Sequence, residues 1–419
     1  MSVKSPGDFR PETLAVAYGY DPAQALGAVK PPVYLSSTFI YPSAQHAKDV
    51  HCAYFDNEGP LVGESNHIYA RLGHPGLDIL ESRLAAIDGA EAAAAFASGM
   101  AAHSSIALAF VRPGDSVVHG RPIYGGVDML YGTVMSEFGA AVETYTDGTD
   151  PANVRAAAAA AMAKGSLALI VAETPANPTA ALVDLDLMVA IADEVAAQQG
   201  RRPLVVVDNT LLGPFAQRPI EHGVDLCLTS LTKYCAGHSD LLAGGISGRL
   251  DLIARLRMLR TTWGNHCDPF TAWLVVRSLE SASVRIERAM SNARIVAEFL
   301  RDHPKVAGVT YLGFLEQGTP ARAVYDRQCK GAGSTFSFHL HGGEAELFRM
   351  LDRLRLAKLA VSLGGSETLI CHSATTTHYA VPRDLRIAGG ITDGTMRLSI
   401  GLEHPDDLVA DLAQALEAV

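Results

Sequence analysis

The chain has no block of lysine and arginine, no CxxC pair and no strongly apolar run long enough to span a membrane. Its 34 basic residues are outnumbered by 45 acidic ones, giving a net charge of −11. That balance argues against nucleic acid or an anionic membrane surface as the main partner. The six cysteines (Cys52, Cys227, Cys235, Cys267, Cys329 and Cys371) are scattered, which indicates neither a zinc site nor a disulfide framework. No metal is expected, and the thiols read as reduced, in a cytoplasmic setting. Met1–Arg10 lacks an apolar h-region, so no secretory signal is expected. Ala92–Val111 contains no Asp, Glu, Lys or Arg, but it is mostly Ala and Ser with Gly99 and His103 inside. It reads as a strand, a tight turn and a buried helix rather than a span.

What is present is a globular composition, 48% hydrophobic and 19% charged, over 419 residues. That length allows two or three lobes and a large core. Residues 1–73 read as an irregular arm, punctuated by Pro31-Pro32 and by the polar, Gly-containing stretch Asp56–Asn66. Leu77–Ile87 has helical spacing and stops at Gly89. Short apolar runs follow at Ala92–Ala97, Ser116–His119, Val142–Thr146, Leu167–Ala172, Leu204–Val207, Asp225–Leu228 and Gly245–Ser247. Helical stretches lie between several of them, such as Ala101–Val111, Ala156–Ala161 and Leu185–Gln199. Strands buried on both faces and separated by crossover helices predict an α/β fold with a mostly parallel sheet. An arginine-rich amphipathic helix over Ser281–Glu298 leads into a second lobe. There Thr335–His339 and Thr395–Ser399 read as strands and Pro405–Leu416 as a closing helix.

In such sheets ligands sit at the carboxyl ends of the strands. Ser98-Gly99, Tyr124-Gly125, Glu173, Asp208 and Lys233 all fall at predicted strand ends. The segment Leu228-Thr229-Ser230-Leu231-Thr232-Lys233-Tyr234 places two hydroxyls and a lysine just beyond an apolar strand. Taken alone, a lysine there is an ordinary surface residue. Joined to an acid at the end of a neighbouring strand, it supplies parts needed to hold and polarise pyridoxal phosphate (PLP). That cofactor needs a lysine for a Schiff base, an acid at the pyridine nitrogen, a flat face against the ring, phosphate donors and a clamp for the substrate carboxylate.

The chain resembles the Cys/Met-metabolism family of PLP-dependent (trans-sulfuration) enzymes, closest in look to methionine γ-lyase and cystathionine γ-synthase. The resemblance runs from Gly27-Ala28-Val29-Lys30-Pro31-Pro32-Val33-Tyr34 to Arg397-Leu398-Ser399-Ile400-Gly401-Leu402-Glu403. Between them lie Tyr69-Ala70-Arg71, Ser98-Gly99-Met100, Tyr124-Gly125, Glu173-Thr174-Pro175-Ala176-Asn177-Pro178, Val207-Asp208-Asn209-Thr210 and Gly237-His238-Ser239-Asp240, in family order. It implies the PLP-dependent transferase fold of aspartate aminotransferase type I, with a smaller α/β C-terminal domain. It also implies three parts: an arm, 1–73, reaching the neighbouring subunit's site; a PLP-binding large domain, 74–284; and a small domain, 285–419.

By the same resemblance, Lys233 holds the cofactor and moves protons at the substrate, with a pKa lowered by burial and the neighbouring cationic ring. Asp208 pairs with the ring nitrogen. Tyr124 stacks on the ring and assists the leaving group. Gly99, Met100, Ser230 and Thr232 serve the phosphate, and Asn177 the phenolate oxygen. Tyr69 and Arg71 reach the phosphate and substrate pocket of a partner subunit, which implies a homotetramer built as a dimer of dimers. Arg397 clamps the α-carboxylate, with Ser362 lining the same pocket; His378 is either structural or part of the substrate channel. The implied substrate is a small γ-substituted L-amino acid.

Several positions depart from the family pattern. Where members often read Tyr-x-Arg-x-x-Asn-Pro-Thr, His74 takes the place of the asparagine and Gly76 that of the threonine. A different helix cap is expected there. Gly126 stands where typical methionine γ-lyases have cysteine, as in many γ-synthases. Val361 stands where enzymes that recognise cystathionine's distal amino group often have glutamate, as in methionine γ-lyases. The segment His51–His67 is longer than usual and carries Asp56, Glu58 and Glu64, which is expected to favour a polar or cationic γ-substituent. The implied reaction is γ-elimination through a vinylglycine-type intermediate. γ-Replacement shares every residue named, and a non-catalytic PLP-binding protein is the reading from another class.

Overall fold

The computed structural model describes residue 7, residues 9–56 and residues 67–419. The arm is less irregular than expected. It carries helices α1 (Pro11–Ala17) and α2 (Ala44–Asp56). Pro11 opens α1 at a position where its missing N–H costs nothing. Leu14 and Ala15 of that helix are buried against Leu80 and Leu84. In α2, Ala44, Ala47, Val50 and Tyr54 recur at helical spacing, a signal hidden among polar neighbours.

Helix α3 (Pro75–Asp88) opens the body of the protein. Its cap is His74, whose side chain accepts from the Leu77 N–H at 3.1 Å. That fixes the ring tautomer: Nδ1 accepts, so Nε2 carries the proton and donates to the Cys267 carbonyl at 3.2 Å. The expected difference in capping is therefore real, and histidine replaces the more usual polar cap.

Among the described residues the strands form two sheets. The first orders β1 (Ala92–Phe96), β2 (Asp115–Gly120), β3 (Ala141–Tyr145), β4 (Ser166–Glu173), β5 (Leu204–Asp208), β6 (Leu226–Thr229) and β7 (Gly244–Gly248) as β1-β7-β6-β5-β4-β2-β3. Strands β6, β5, β4, β2 and β3 are parallel, while β7 is antiparallel to both β6 and β1. It follows that β1 runs with the parallel set. The carboxyl ends of β1, β2, β4, β5 and β6 share one edge. Helices α4 (Gly99–Phe110), α5 (Gly125–Met129), α6 (Pro151–Met162) and α7 (Leu185–Gln199) occupy connections of this sheet. Ser98 caps α4 and Asp184 caps α7, and Gly200 at φ +74° ends α7. Strand β1 also has its Ala95 N–H bound by Glu81 at 2.9 Å and its Ala95 carbonyl by Arg260 at 2.7 Å. These two buried side chains are themselves ion-paired.

The second sheet orders β8 (Val306–Thr310), β9 (Thr335–Leu340), β10 (Lys358–Leu359), β11 (Leu369–His372) and β12 (Thr395–Ser399) as β10-β11-β12-β9-β8. Strand β12 lies at its centre, with Arg397 opposite Cys371 and Ser337. Helix Ala282–Asp302 joins the two regions. Its Arg285 donates to the Tyr234 and Cys235 carbonyls at 3.0 and 3.1 Å, pinning the turn just after Lys233.

His74→Ala removes a cap and is expected to lower unfolding free energy by about 1 kcal/mol, read from the urea midpoint. His74→Asn, which keeps a side-chain acceptor, should lose less than the alanine variant.

Candidate active site

The shared carboxyl edge of the first sheet faces the second sheet across a cavity of about 970 Å³. Lining it are Gly99, Met100, Tyr124, Asn177, Asp208, Ser230, Thr232, Lys233, Ser362 and Arg397, ten of the residues named from sequence. They arrive from seven different segments of the chain. For the eight from the first sheet that convergence follows from the parallel strand order, because each connection departs from the same edge, while Ser362 and Arg397 come from the second sheet.

At the floor, Asp208 ends β5. Its Oδ1 accepts from the Thr210 N–H at 2.9 Å and the Thr210 hydroxyl at 2.5 Å, and its Oδ2 accepts from His103 Nε2 at 3.0 Å. Beside it Glu173 ends β4, fully enclosed. Glu173 accepts the Tyr124 N–H at 2.6 Å and the Asn177 N–H at 2.7 Å. Burial, and then the nearby Asp208 charge, push its carboxyl up to about 8. One side chain thus holds the two loops that present Tyr124 and Asn177.

The Tyr124 turn is also fixed from behind. A Cβ at Gly125 would lie 2.6 Å from the Thr377 carbonyl, so this close approach requires glycine. His378 contacts the Ile123 carbonyl at 3.3 Å and the Thr377 hydroxyl at 2.9 Å. Burial pushes its pKa down to about 4. His378 is therefore a neutral brace behind the cavity wall. A Cβ at Gly126 would lie 2.8 Å from Cε1 of Tyr124, so any side chain there shifts that ring.

Across the cavity, Lys233 Nζ donates to Ser362 Oγ at 2.8 Å. Burial, and then the Arg397 charge, lower the lysine pKa to about 8. Expectation placed a cationic ring beside burial; the protein's own arginine already supplies a cation. Ser362 holds a left-handed backbone at φ +94°, which is costly for a residue with a Cβ. Arg397 is 2% exposed, and its guanidinium donates to Asn177 Oδ1 at 3.1 Å and to the Ser362 carbonyl. Its Nε is buried with no partner among the described residues. A guanidinium oriented on two sides with a donor to spare suits an incoming carboxylate.

The residues present fit a phosphate-bearing cofactor. In α4 the Ser98 hydroxyl takes the Ala101 N–H at 3.0 Å, and the Ser98 carbonyl takes the Ala102 N–H at 3.1 Å. The Gly99 and Met100 N–H groups are left at the helix N-terminus, facing the cavity. A Cβ on Gly99 would lie 3.1 Å from Ser230 Oγ, closing the notch between hydroxyl and helix end. Thr232 differs from expectation. Its hydroxyl donates to the Ala243 carbonyl at 3.1 Å and accepts the Ala243 N–H at 3.0 Å, clipping the connection between β6 and β7. It reaches an anion only by giving up that first bond.

Tyr69 and Arg71 do not line this cavity. Tyr69 is 43% exposed, and Arg71 lies 5.8 Å from its ring centroid and donates to the Thr261 carbonyl. Glu58 and Glu64 of the long arm segment lie outside the described residues. Of the remaining arm groups, His51 binds the Ala47 carbonyl at 2.8 Å, and His67 lies 3.3 Å from Asp78. Among the lining residues given no role from sequence are His103, Thr210, Lys358, Glu367 and Thr376. His103 lies one helical turn beyond Gly99 and Thr210 two residues beyond Asp208, so spacing alone could have found both.

A lysine, an acid and an arginine meeting where a mostly parallel sheet faces a smaller α/β unit define the type I fold of PLP-dependent enzymes. The chain belongs to the Cys/Met metabolism PLP-dependent enzyme family, whose profile matches residues 12–417. It is 38% identical over 410 residues to an L-methionine γ-lyase of Pseudomonas deceptionensis, covering 97% of each chain. It is 36% identical over 376 residues to a cystathionine β-lyase of Bacillus subtilis, covering 90% of this chain and 91% of the relative. The crystal structure of a cystathionine γ-synthase from Xanthomonas oryzae superposes with a TM-score of 0.87 at 36% identity, covering 98% of both chains.

The lowered Lys233 pKa sets a pH dependence. The buried cation is disfavoured, so the neutral, nucleophilic amine forms as pH rises through about 8 rather than near 10.5. Competitive acetylation of the cofactor-free protein should show Lys233 labelling climbing through about 8 and levelling off above it. Exposed lysines should still be climbing at pH 10.

Proposed function

We propose that the chain is a PLP-dependent γ-lyase acting on a γ-substituted L-amino acid, similar to L-methionine γ-lyase. The observation that carries this reading is the meeting of Lys233, Asp208 and Arg397 in one cavity of a chain from this family. Lys233 would hold the cofactor as a Schiff base. Asp208 would serve its ring nitrogen, Tyr124 its ring face, Asn177 its phenolate oxygen, and the Gly99 and Met100 amides with Ser230 its phosphate. Bound there, PLP supplies an electron sink for the pair left at Cα after deprotonation.

The chain's own residues do the rest. Arg397 binds the α-carboxylate and so turns the Cα–H toward Lys233. Lys233, whose burial beside Arg397 favours the neutral amine, takes that proton and then serves at Cβ, with Ser362 Oγ within hydrogen-bond reach of its amine. Tyr124 stands on the leaving-group side. Overall one water enters, and 2-oxobutanoate, ammonia and the γ-substituent leave. Val361, 55% exposed on the cavity wall, supports elimination from a substrate without a distal amino group. Gly126 and the likeness to a cystathionine γ-synthase support a second reading, γ-replacement at the same residues.

Two sheets and an arm support a three-part division at 73 and 284, with helix Ala282–Asp302 running across the second boundary. Tyr69 and Arg71 do not line their own cavity, which supports a homo-oligomer, a tetramer of paired dimers, in which they complete the partner's site.

With methionine, homocysteine, cystathionine, O-acylhomoserines and canavanine as substrates, 2-oxobutanoate should form with at least one of them. Suppression of that product by added thiol would instead mark γ-replacement. Lys233→Ala should abolish turnover, and Arg397→Lys should raise KM about tenfold or more through loss of bidentate geometry. Refolding Lys233→Ala together with Arg71→Ala should regain about a quarter of wild-type activity, since a two-fold pair then contains one intact site in half of the dimers. No recovery would confine each site to one protomer.

A further inference from the structure

We infer that His103 is a positioning residue for Asp208: it fixes the carboxylate so that one lone pair of Oδ2 is left for the ring nitrogen of the cofactor. This rests on the reading of the cavity as a PLP site.

A carboxylate offers about four lone-pair directions. In Asp208 three are taken, two on Oδ1 by the Thr210 N–H and hydroxyl and one on Oδ2 by His103 Nε2 at 3.0 Å. The Thr210 bonds are local, spanning two residues, and hold only one oxygen. The long-range bond from α4 stops the group from rotating about its terminal torsion. His103 is 2% exposed, and its Nδ1 is buried without a partner among the described residues. Nε2 is thus the nitrogen that donates, and the ring orients Asp208 from a fixed place in α4.

The placement has a further consequence. His103 lies one turn along the helix whose first amides, Gly99 and Met100, face the cavity. One rigid element thus sets both the phosphate end and, through Asp208, the ring-nitrogen end of the cofactor.

The test is a titration of cofactor-free protein with PLP and with a carbocyclic analogue in which carbon replaces the ring nitrogen. His103→Phe should weaken PLP binding about tenfold or more, the scale of a lost hydrogen bond to a charged group. It should leave affinity for the analogue within about twofold, because the analogue has no ring N–H to meet Asp208. Should phenylalanine not be tolerated, His103→Leu carries the same comparison. Unchanged PLP affinity, or equal losses for both compounds, would overturn the inference while leaving the PLP site standing. Failure of the wild-type chain to bind PLP would overturn the reading of the cavity, and this inference with it.

Discussion

The hydrogen bond from Lys233 to Ser362 is the join on which the site depends. Lys233 belongs to the connection between β6 and β7, Ser362 to that between β10 and β11, so their 2.8 Å contact links the two sheets across the cavity, alongside Tyr234 to Thr335 at 2.7 Å and Ser337 to the Pro178 carbonyl at 2.6 Å. Arg397 reinforces it from β12 by holding the Ser362 carbonyl and, on its other side, Asn177 beyond β4. Two cationic groups are thereby kept close in a desolvated place. That arrangement is unfavourable for both, and it lowers the lysine pKa to about 8. The strained backbone of Ser362, at φ +94°, belongs to the same design: a conformation costly in itself is retained where it aims a hydroxyl at the amine.

Much of this was legible in the sequence, for a physical reason. Doubly buried parallel strands leave apolar runs that end abruptly, and ligand-binding residues follow those ends. Leu204-Val205-Val206-Val207 stopping at Asp208 and Asp225–Leu228 running into Ser230-Leu231-Thr232-Lys233 are both signals of this kind. Helix Leu185–Gln199 and strand Thr395–Ser399 match their expected bounds. What failed lies where tertiary contact decides. Helix α1 was hidden by turn residues and α2 by its polar neighbours; β8 is only partly buried and carries Gly308, and β11 has four residues. The hydroxyl of Thr232 has the right type and place, yet it is engaged with Ala243, a partner 11 residues away that no local pattern reveals. His103 sat in view inside an alanine-rich run, one helical turn beyond Gly99; that spacing points to the cavity, and the fold supplies Asp208 as its partner.

Choice of substrate is written elsewhere than the Lys233 motif. The residues that hold a cofactor and an amino-acid head group are common to elimination and replacement, and three relatives of about equal identity carry three different activities in their names. Among the described residues the features that differ are Val361, which is exposed on the cavity wall, and Gly126, whose missing side chain leaves the Tyr124 ring its present position.

The central claim is that Lys233 carries the cofactor. Its most direct measurement is borohydride reduction of the PLP-loaded protein, proteolysis and mass spectrometry. The account predicts a single phosphopyridoxyl adduct on the peptide containing Lys233. An adduct on another lysine, or none, would contradict it.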